Sequence, residues 1–174
     1  MSPREPDVIL SASTPFLRKY LIAFSSILPV VLYINGKYWG KYYNDGGIII
    51  SGRYTTSNAV HQTSKLNESE WESFLSWLYD FEYEKVKIPR PDKVIFLDMP
   101  IDVSQKLLSG RYKGDENKKD IHEKDTEYLE KCRKAAYFTA KYSGWTVIPC
   151  AEDGSPRKIE DISKDILEEV LKVL

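Results

Sequence analysis

Apolar residues along the chain follow two rhythms, helical spacing and short unbroken runs, and polar or glycine-containing stretches separate them. The clearest helical pattern is Trp71, Phe74, Leu75, Leu78 and Phe81, with Asn67 placed as N-cap and Glu68 and Glu70 in the first turn. A second pattern covers residues 126 to 143, where Tyr128, Leu129, Cys132, Ala135, Ala136 and Ala140 mark a buried stripe and Gly144 stops the helix. Ile159, Ile162, Ile166, Leu167, Val170 and Val173 predict a terminal amphipathic helix, and a shorter helix opens at residues 103 to 108. Unbroken apolar runs at Ile48 to Ile50, residues 93 to 98 and residues 145 to 150 read as strands buried on both faces of a parallel sheet.

The punctuation agrees with this division. Asn44-Asp45-Gly46-Gly47 ends a helix before the first strand, Pro89 and Pro91 close the aromatic helix, and residues 109 to 119 are too polar to pack. A loop is expected from Glu152 to Pro156. Strands separated by helices predict one α/β domain over residues 1 to 174, with a mainly parallel sheet covered by helices on both faces.

Composition narrows the function classes. With 25 basic and 26 acidic residues in 174 there is no bulk attraction to nucleic acid or to an anionic membrane, so any anion site must be local. The two cysteines, Cys132 and Cys150, lack the spacing of a metal site or disulfide framework, which fits core positions in a reducing cytoplasm. The longest apolar stretch, residues 21 to 34, is interrupted by Ser25, Ser26 and Pro29 and is too short to span a bilayer.

Chemistry concentrates at residues 46 to 62. Whatever follows the carboxyl end of a strand in an open α/β sheet lies where such sheets bind ligands. Arg53 there offers a fork of donors suited to phosphate, and Ser57, Asn58 and Gln62 can pair with the edges of a base. The alternative is a surface arginine beside an ordinary loop and helix cap. Further along, Arg111 leads a basic segment with Lys113, Lys118 and Lys119, which is either a lid over phosphates or a solvated charge run. Asp120 and Glu123, one helical turn apart, offer oxygen ligands to a hydrated magnesium ion, or else cap the following helix. Asp98 ends its strand at the ligand edge, where it would orient a water network or make a turn.

These motifs resemble the thymidylate kinase family. Gly52-Arg53-Tyr54 stands where that family has Asp-Arg-Tyr, followed by its Ser-Asn pair at Ser57-Asn58 and its glutamine at Gln62. Residues 91 to 100, Pro-Asp-Lys-Val-Ile-Phe-Leu-Asp-Met-Pro, are similar to the family's Pro-Asp, apolar strand, Leu-Asp-x-Pro segment. Arg111, then Asp120 and Glu123, then Tyr128-Leu129 with Arg133 follow the order of its lid, its Asp-x-x-Glu element and the helix behind them. Over residues 37 to 174 the resemblance implies a P-loop NTPase-like nucleoside monophosphate kinase fold. It also implies a homodimer that phosphorylates dTMP to dTDP with ATP and Mg2+. Arg53 and Arg111 would then be catalytic and Ser57, Asn58 and Gln62 would hold the substrate. Ala151 and Glu152 would sit beside the donor adenine, and Asp120 and Glu123 on the metal.

Three parts of the pattern are missing. No Gly-Lys-Ser/Thr sequence, whose backbone N–H groups and lysine cradle donor phosphates, occurs among the 174 residues. Gly52 replaces the aspartate, and Val30-Val31 stand where the family carries an Asp-Arg pair. Residues 1 to 36 do not resemble the family's beginning, which points either to an upstream frameshift or wrong start or to divergence. An intact Gly-Lys-Ser/Thr loop in the upstream DNA would establish the first. The expected behaviour of this chain alone is little or no kinase activity, with a non-catalytic dTMP-binding or dimerisation remnant as the alternative. A deoxynucleoside kinase fits Ser57-Asn58 and the Asp120/Glu123 spacing less well.

Overall fold

A computed structural model describes residues 40 to 111, the side chain of Arg111 excepted, and residues 126 to 174. The chain divides after Thr55 into two compact units.

In the first unit, α1 (Gly40–Asn44) is one short helix, and its exposed Lys41 pairs with Asp45, just past the helix end, at 2.8 Å. It ends as the sequence predicts. Gly46 takes the left-handed φ of 86° that only glycine adopts without steric cost, and the N–H of Gly47 returns to the Tyr42 carbonyl at 2.8 Å. A Cβ on Gly47 would collide with the Tyr42 ring. The expected strand does not follow. Residues 48 to 50 have no strand structure, and Ile48 and Ile50 are 56% and 84% exposed. A β-branched run favours extended backbone, but a strand exists only where a neighbour answers its N–H and C=O groups. No such partner is found among the described residues.

The second unit is built by helices around a two-stranded parallel sheet. Helix α2 (Thr56–Thr63) leads through a 3-10 turn (Glu68–Glu70) into α3 (Trp71–Tyr79). The Asn67 signal is read correctly: the Glu70 carboxylate accepts from the Asn67 backbone N–H at 3.2 Å, closing the first turn. Trp71, Phe74, Leu75, Leu78 and Phe81 are all buried, and each contributes roughly 2 kcal/mol of transfer free energy. The helix then widens into a π segment (Asp80–Lys85), with the N–H of Val86 reaching the Phe81 carbonyl five residues back. Three successive side chains of this segment, Phe81, Glu82 and Tyr83, are buried.

Strands β1 (Ile95–Asp98) and β2 (Thr146–Pro149) pair in parallel, Ile95 opposite Thr146 and Asp98 opposite Pro149. Between them run α4 (Ile101–Arg111) and α5 (Thr126–Ser143), the latter with the bounds its periodicity predicts. Gly144 at φ 69° caps α5, and the Trp145 N–H returns to the Ala140 carbonyl at 2.9 Å. Two-residue strands β3 (Ala151–Glu152) and β4 (Ser155–Pro156) form a hairpin where a plain loop is expected, and α6 (Ile159–Leu171) closes the chain. Side chains alternate across the sheet, so the residues that meet α5 and α6 lie on opposite faces. Phe96 meets Tyr137 of α5 edge-on at 5.7 Å, whereas Thr146 donates to Glu169 of α6 at 3.1 Å. The α/β arrangement with helices on both faces is thus present as a small parallel sheet.

The fit of α6 is partial. Ile162, Ile166 and Val170 are half-buried, while Ile159 and Leu167 remain 77% and 57% exposed. Its firmest tether is polar: Glu169 accepts from Lys93 at 2.6 Å, from Thr146, and from Lys172. Lys172, then Lys93, hold the Glu169 carboxyl down to about 2 from its ordinary 4.5. A carboxyl lowered on folding stabilises the fold fully above its ordinary value and loses that contribution as pH falls from about 4.5 towards 2. Urea midpoints taken across that window should fall more steeply for the wild type than for Glu169→Gln, the remaining slope belonging to carboxylates such as Asp98.

Candidate functional site

Asp98 lies at the carboxyl end of β1 and is bound there by α5. Arg133 donates from Nε to Oδ1 at 2.8 Å and from Nη2 to Oδ2 at 2.9 Å, and the Tyr137 hydroxyl donates to the same Oδ2. One helical turn separates Arg133 from Tyr137, so the helix presents both to one carboxylate. The Arg133 fork holds the Asp98 carboxyl below its usual range despite burial, and the bond to that carboxylate pushes the Tyr137 phenol up. With both oxygens engaged, Asp98 is a fixed anion that anchors α5 to the strand end, not a proton acceptor.

Helix α2 carries the predicted base-reading residues. Asn58 and Gln62, four apart, share one face and are both buried, while Ser57 is half-buried. Asn58 Nδ2 donates to Glu82 Oε1 at 2.9 Å, and its Oδ1, also buried, has no partner among the described residues. Gln62 Oε1 receives Lys65 Nζ at a long 3.4 Å. A polar seam joins α2 to α5: His61 Nδ1 lies 3.3 Å from the Tyr128 hydroxyl and 3.7 Å from Cys132 Sγ, and that thiol donates to Ser64 Oγ at 3.3 Å. Both cysteines are buried, as their spacing implies, and burial pushes the Cys150 thiol up.

Beyond β2, the hairpin borders a shallow groove of about 280 Å³ lined by Glu152, Asp153, Ser155, Arg157, Lys158 and Asp161. Ala151 is half-buried and Glu152 exposed. Arg157 is committed to the Pro149 carbonyl at 2.6 Å and to Asp165 at 2.8 Å, so the groove carries mixed charge and not a focused cationic patch. A smaller cavity of about 120 Å³ among Tyr79, Tyr83, Arg90, Ser143 and Trp145 sits at the opposite, amino-terminal end of the strands.

Arg53, in the first unit, is exposed on a bend whose carbonyl accepts from the Ser51 hydroxyl. A Cβ at neighbouring Gly52 would meet nothing within 4 Å, so space does not exclude the aspartate it replaces. Arg111 ends α4. Lys113, Lys118, Lys119, Asp120, His122 and Glu123 lie outside the described residues. Among those described, no cluster of three or more His, Cys, Asp or Glu could hold a metal ion. Sequence reading missed two polar residues, Glu82 and Tyr137. A single acid between Phe81 and Tyr83, and a tyrosine one turn after Arg133, were the available signals.

Two curated sequences named thymidylate kinase, from Mycobacterium tuberculosis strains CDC 1551 / Oshkosh and ATCC 25618 / H37Rv, are each 26% identical to the chain over 99 residues. The chain is similar to thymidylate kinases. The match covers 56% of this chain and 46% of each relative, so the chain spans under half of their length. No family model and no solved structure matches. No helix among the described residues is long and apolar enough to cross a membrane.

Removing the fork at the Leu97-Asp98 strand end should be costly. Arg133→Met leaves a buried carboxylate with Tyr137 alone and should destabilise the fold by roughly 2 kcal/mol, below the figure for a fully buried pair because Arg133 is partly exposed. Paired denaturant titrations check this, and Asp98→Asn in the same background should recover part of the loss. Gly52→Asp should leave the melting temperature unchanged within about a degree or two, since surface substitutions away from packed features have small effects.

Proposed function

We propose that this chain carries the acceptor half of a thymidylate kinase-like site and binds dTMP. The observation that carries the reading is the pair of buried amides, Asn58 and Gln62, on one face of α2. In that reading Asn58 and Gln62 face the pyrimidine edge, Ser57 supports the loop, and Arg53 meets the acceptor phosphate as a bidentate cation. The likeness to two thymidylate kinases supports the assignment of dTMP as the nucleotide.

In-line phosphoryl transfer requires the donor phosphates to be cradled, their charge neutralised, and acceptor and donor held in register. Arg111 is the candidate for charge neutralisation over the donor. Asp120 and Glu123 supply carboxylate oxygens, the ligand type magnesium takes, and would hold an ion that offsets charge developing on the phosphates. Ala151 and Glu152, beside the hairpin groove, are the candidates for the adenine side of ATP. P-loop NTPase-like architecture and a homodimer belong to the same reading. A non-catalytic form of it is favoured by one specific observation, the absence of any Gly-Lys-Ser/Thr sequence in these 174 residues. Without preorganised donors at the phosphates, the largest source of rate is gone.

Isothermal calorimetry with dTMP and with ATP separately tests this directly. Saturable heat is expected with dTMP and none with ATP, and Arg53→Ala and Asn58→Ala should each weaken dTMP binding by about tenfold. Silence with dTMP from folded protein would refute the reading. Family-like turnover in a coupled assay would refute its non-catalytic form.

A further inference from the structure

Glu82 is fully buried, at 0% exposure, in the middle of the π segment, and the bond it makes at 2.9 Å is to the side-chain amide of Asn58, itself 1% exposed. Glu82 Oε1 accepts this bond from the nitrogen end of the amide, Nδ2. An asparagine amide can ordinarily rotate its oxygen and nitrogen ends into each other's places; here the acid removes that freedom. Nδ2 is committed to Glu82, and Oδ1 is left as a buried acceptor with no partner among the described residues. The π segment carries Glu82 between the buried Phe81 and Tyr83.

We propose that Glu82 is a positioning residue that fixes the orientation of the Asn58 amide and thereby sets which pyrimidine the site accepts. With Oδ1 presented, Asn58 pairs with a ring whose N3 carries a proton, the imide of thymine or uracil, and opposes cytosine, whose N3 is itself an acceptor. This rests on the reading of Asn58 as a base-facing residue, but adds a residue and a selection rule that reading does not contain. Glu82 acts through Asn58 without touching the ligand.

The test compares dTMP, dUMP and dCMP binding by calorimetry to the wild-type chain and to Glu82→Gln, with melting temperature recorded for both. Glutamine keeps the shape but can donate, so the Asn58 amide is free to turn. The dTMP-over-dCMP preference should fall by about tenfold in Glu82→Gln while dTMP and dUMP stay close to each other. A second variant, Asn58→Asp in the Glu82→Gln background, restores an acceptor at position 58 opposite a donor at 82 and should recover the preference. An equal weakening of all three nucleotides, with the ratio unchanged, would assign Glu82 a merely structural part and overturn the proposal. So would failure of the double variant to regain the ratio. Absence of any dTMP binding by the wild type would instead strike the reading on which this one stands.

Discussion

The close approach of α5 to its neighbours is the constraint on which the unit from residue 56 onward depends. Its buried stripe of Ala135, Ala136, Thr139 and Ala140 has almost no side-chain bulk, so α2 can pack directly against it. Along its middle Arg133 and Tyr137 clasp Asp98 and Phe138 meets Trp71 edge-on at 5.2 Å; at its carboxyl end Ser143 bonds Tyr79 of α3 at 2.7 Å. Strand end, α2 and α3 are therefore registered against one rigid element. Burial pushes the Tyr79 phenol up to about 12, so this contact is neutral near pH 7.

That registration connects the core to the candidate site. Asn58 and Gln62 are ordered because α2 is pinned between α5 and α3, and Glu82 reaches Asn58 because α3 continues into a π segment. Polar groups buried this deeply are costly unless paired, which makes the Asn58–Glu82 contact hard to explain as packing alone. Apolar side chains of matching volume would fill the same space at no greater cost. An acid and an amide there fit a site that needs one amide orientation, the kind of exception to local packing rules that functional positions show.

Much of this was legible in the residues, and the failures have particular causes. Helix α5 was readable to its bounds because its small-residue stripe, its glycine stop and its polar outer face agree. Strands β1 and β2 were readable because each is bounded by punctuation and does find a partner. Ile48 to Ile50 carried the same local signal without one, and local sequence does not encode whether a neighbour is there. The π segment escaped because periodicity assumes a fixed turn, and nothing in the helical pattern singled out Glu82. Asp98 and Arg133 were each visible, but their pairing spans 35 residues and only the fold reveals it. The terminal helix showed its stripe clearly, yet how much of that stripe the sheet would cover depends on the sheet's width, which no single segment states.

The central claim is that the buried amides of α2 form a nucleotide-reading face held by α5 and Glu82. Nuclear magnetic resonance of the side-chain amides during a dTMP titration of the full chain addresses it most directly. The Asn58 and Gln62 resonances should shift saturably and together with dTMP and stay still with ATP. Amides that remain unmoved while dTMP binds elsewhere, or that move equally with any nucleotide, would contradict the account.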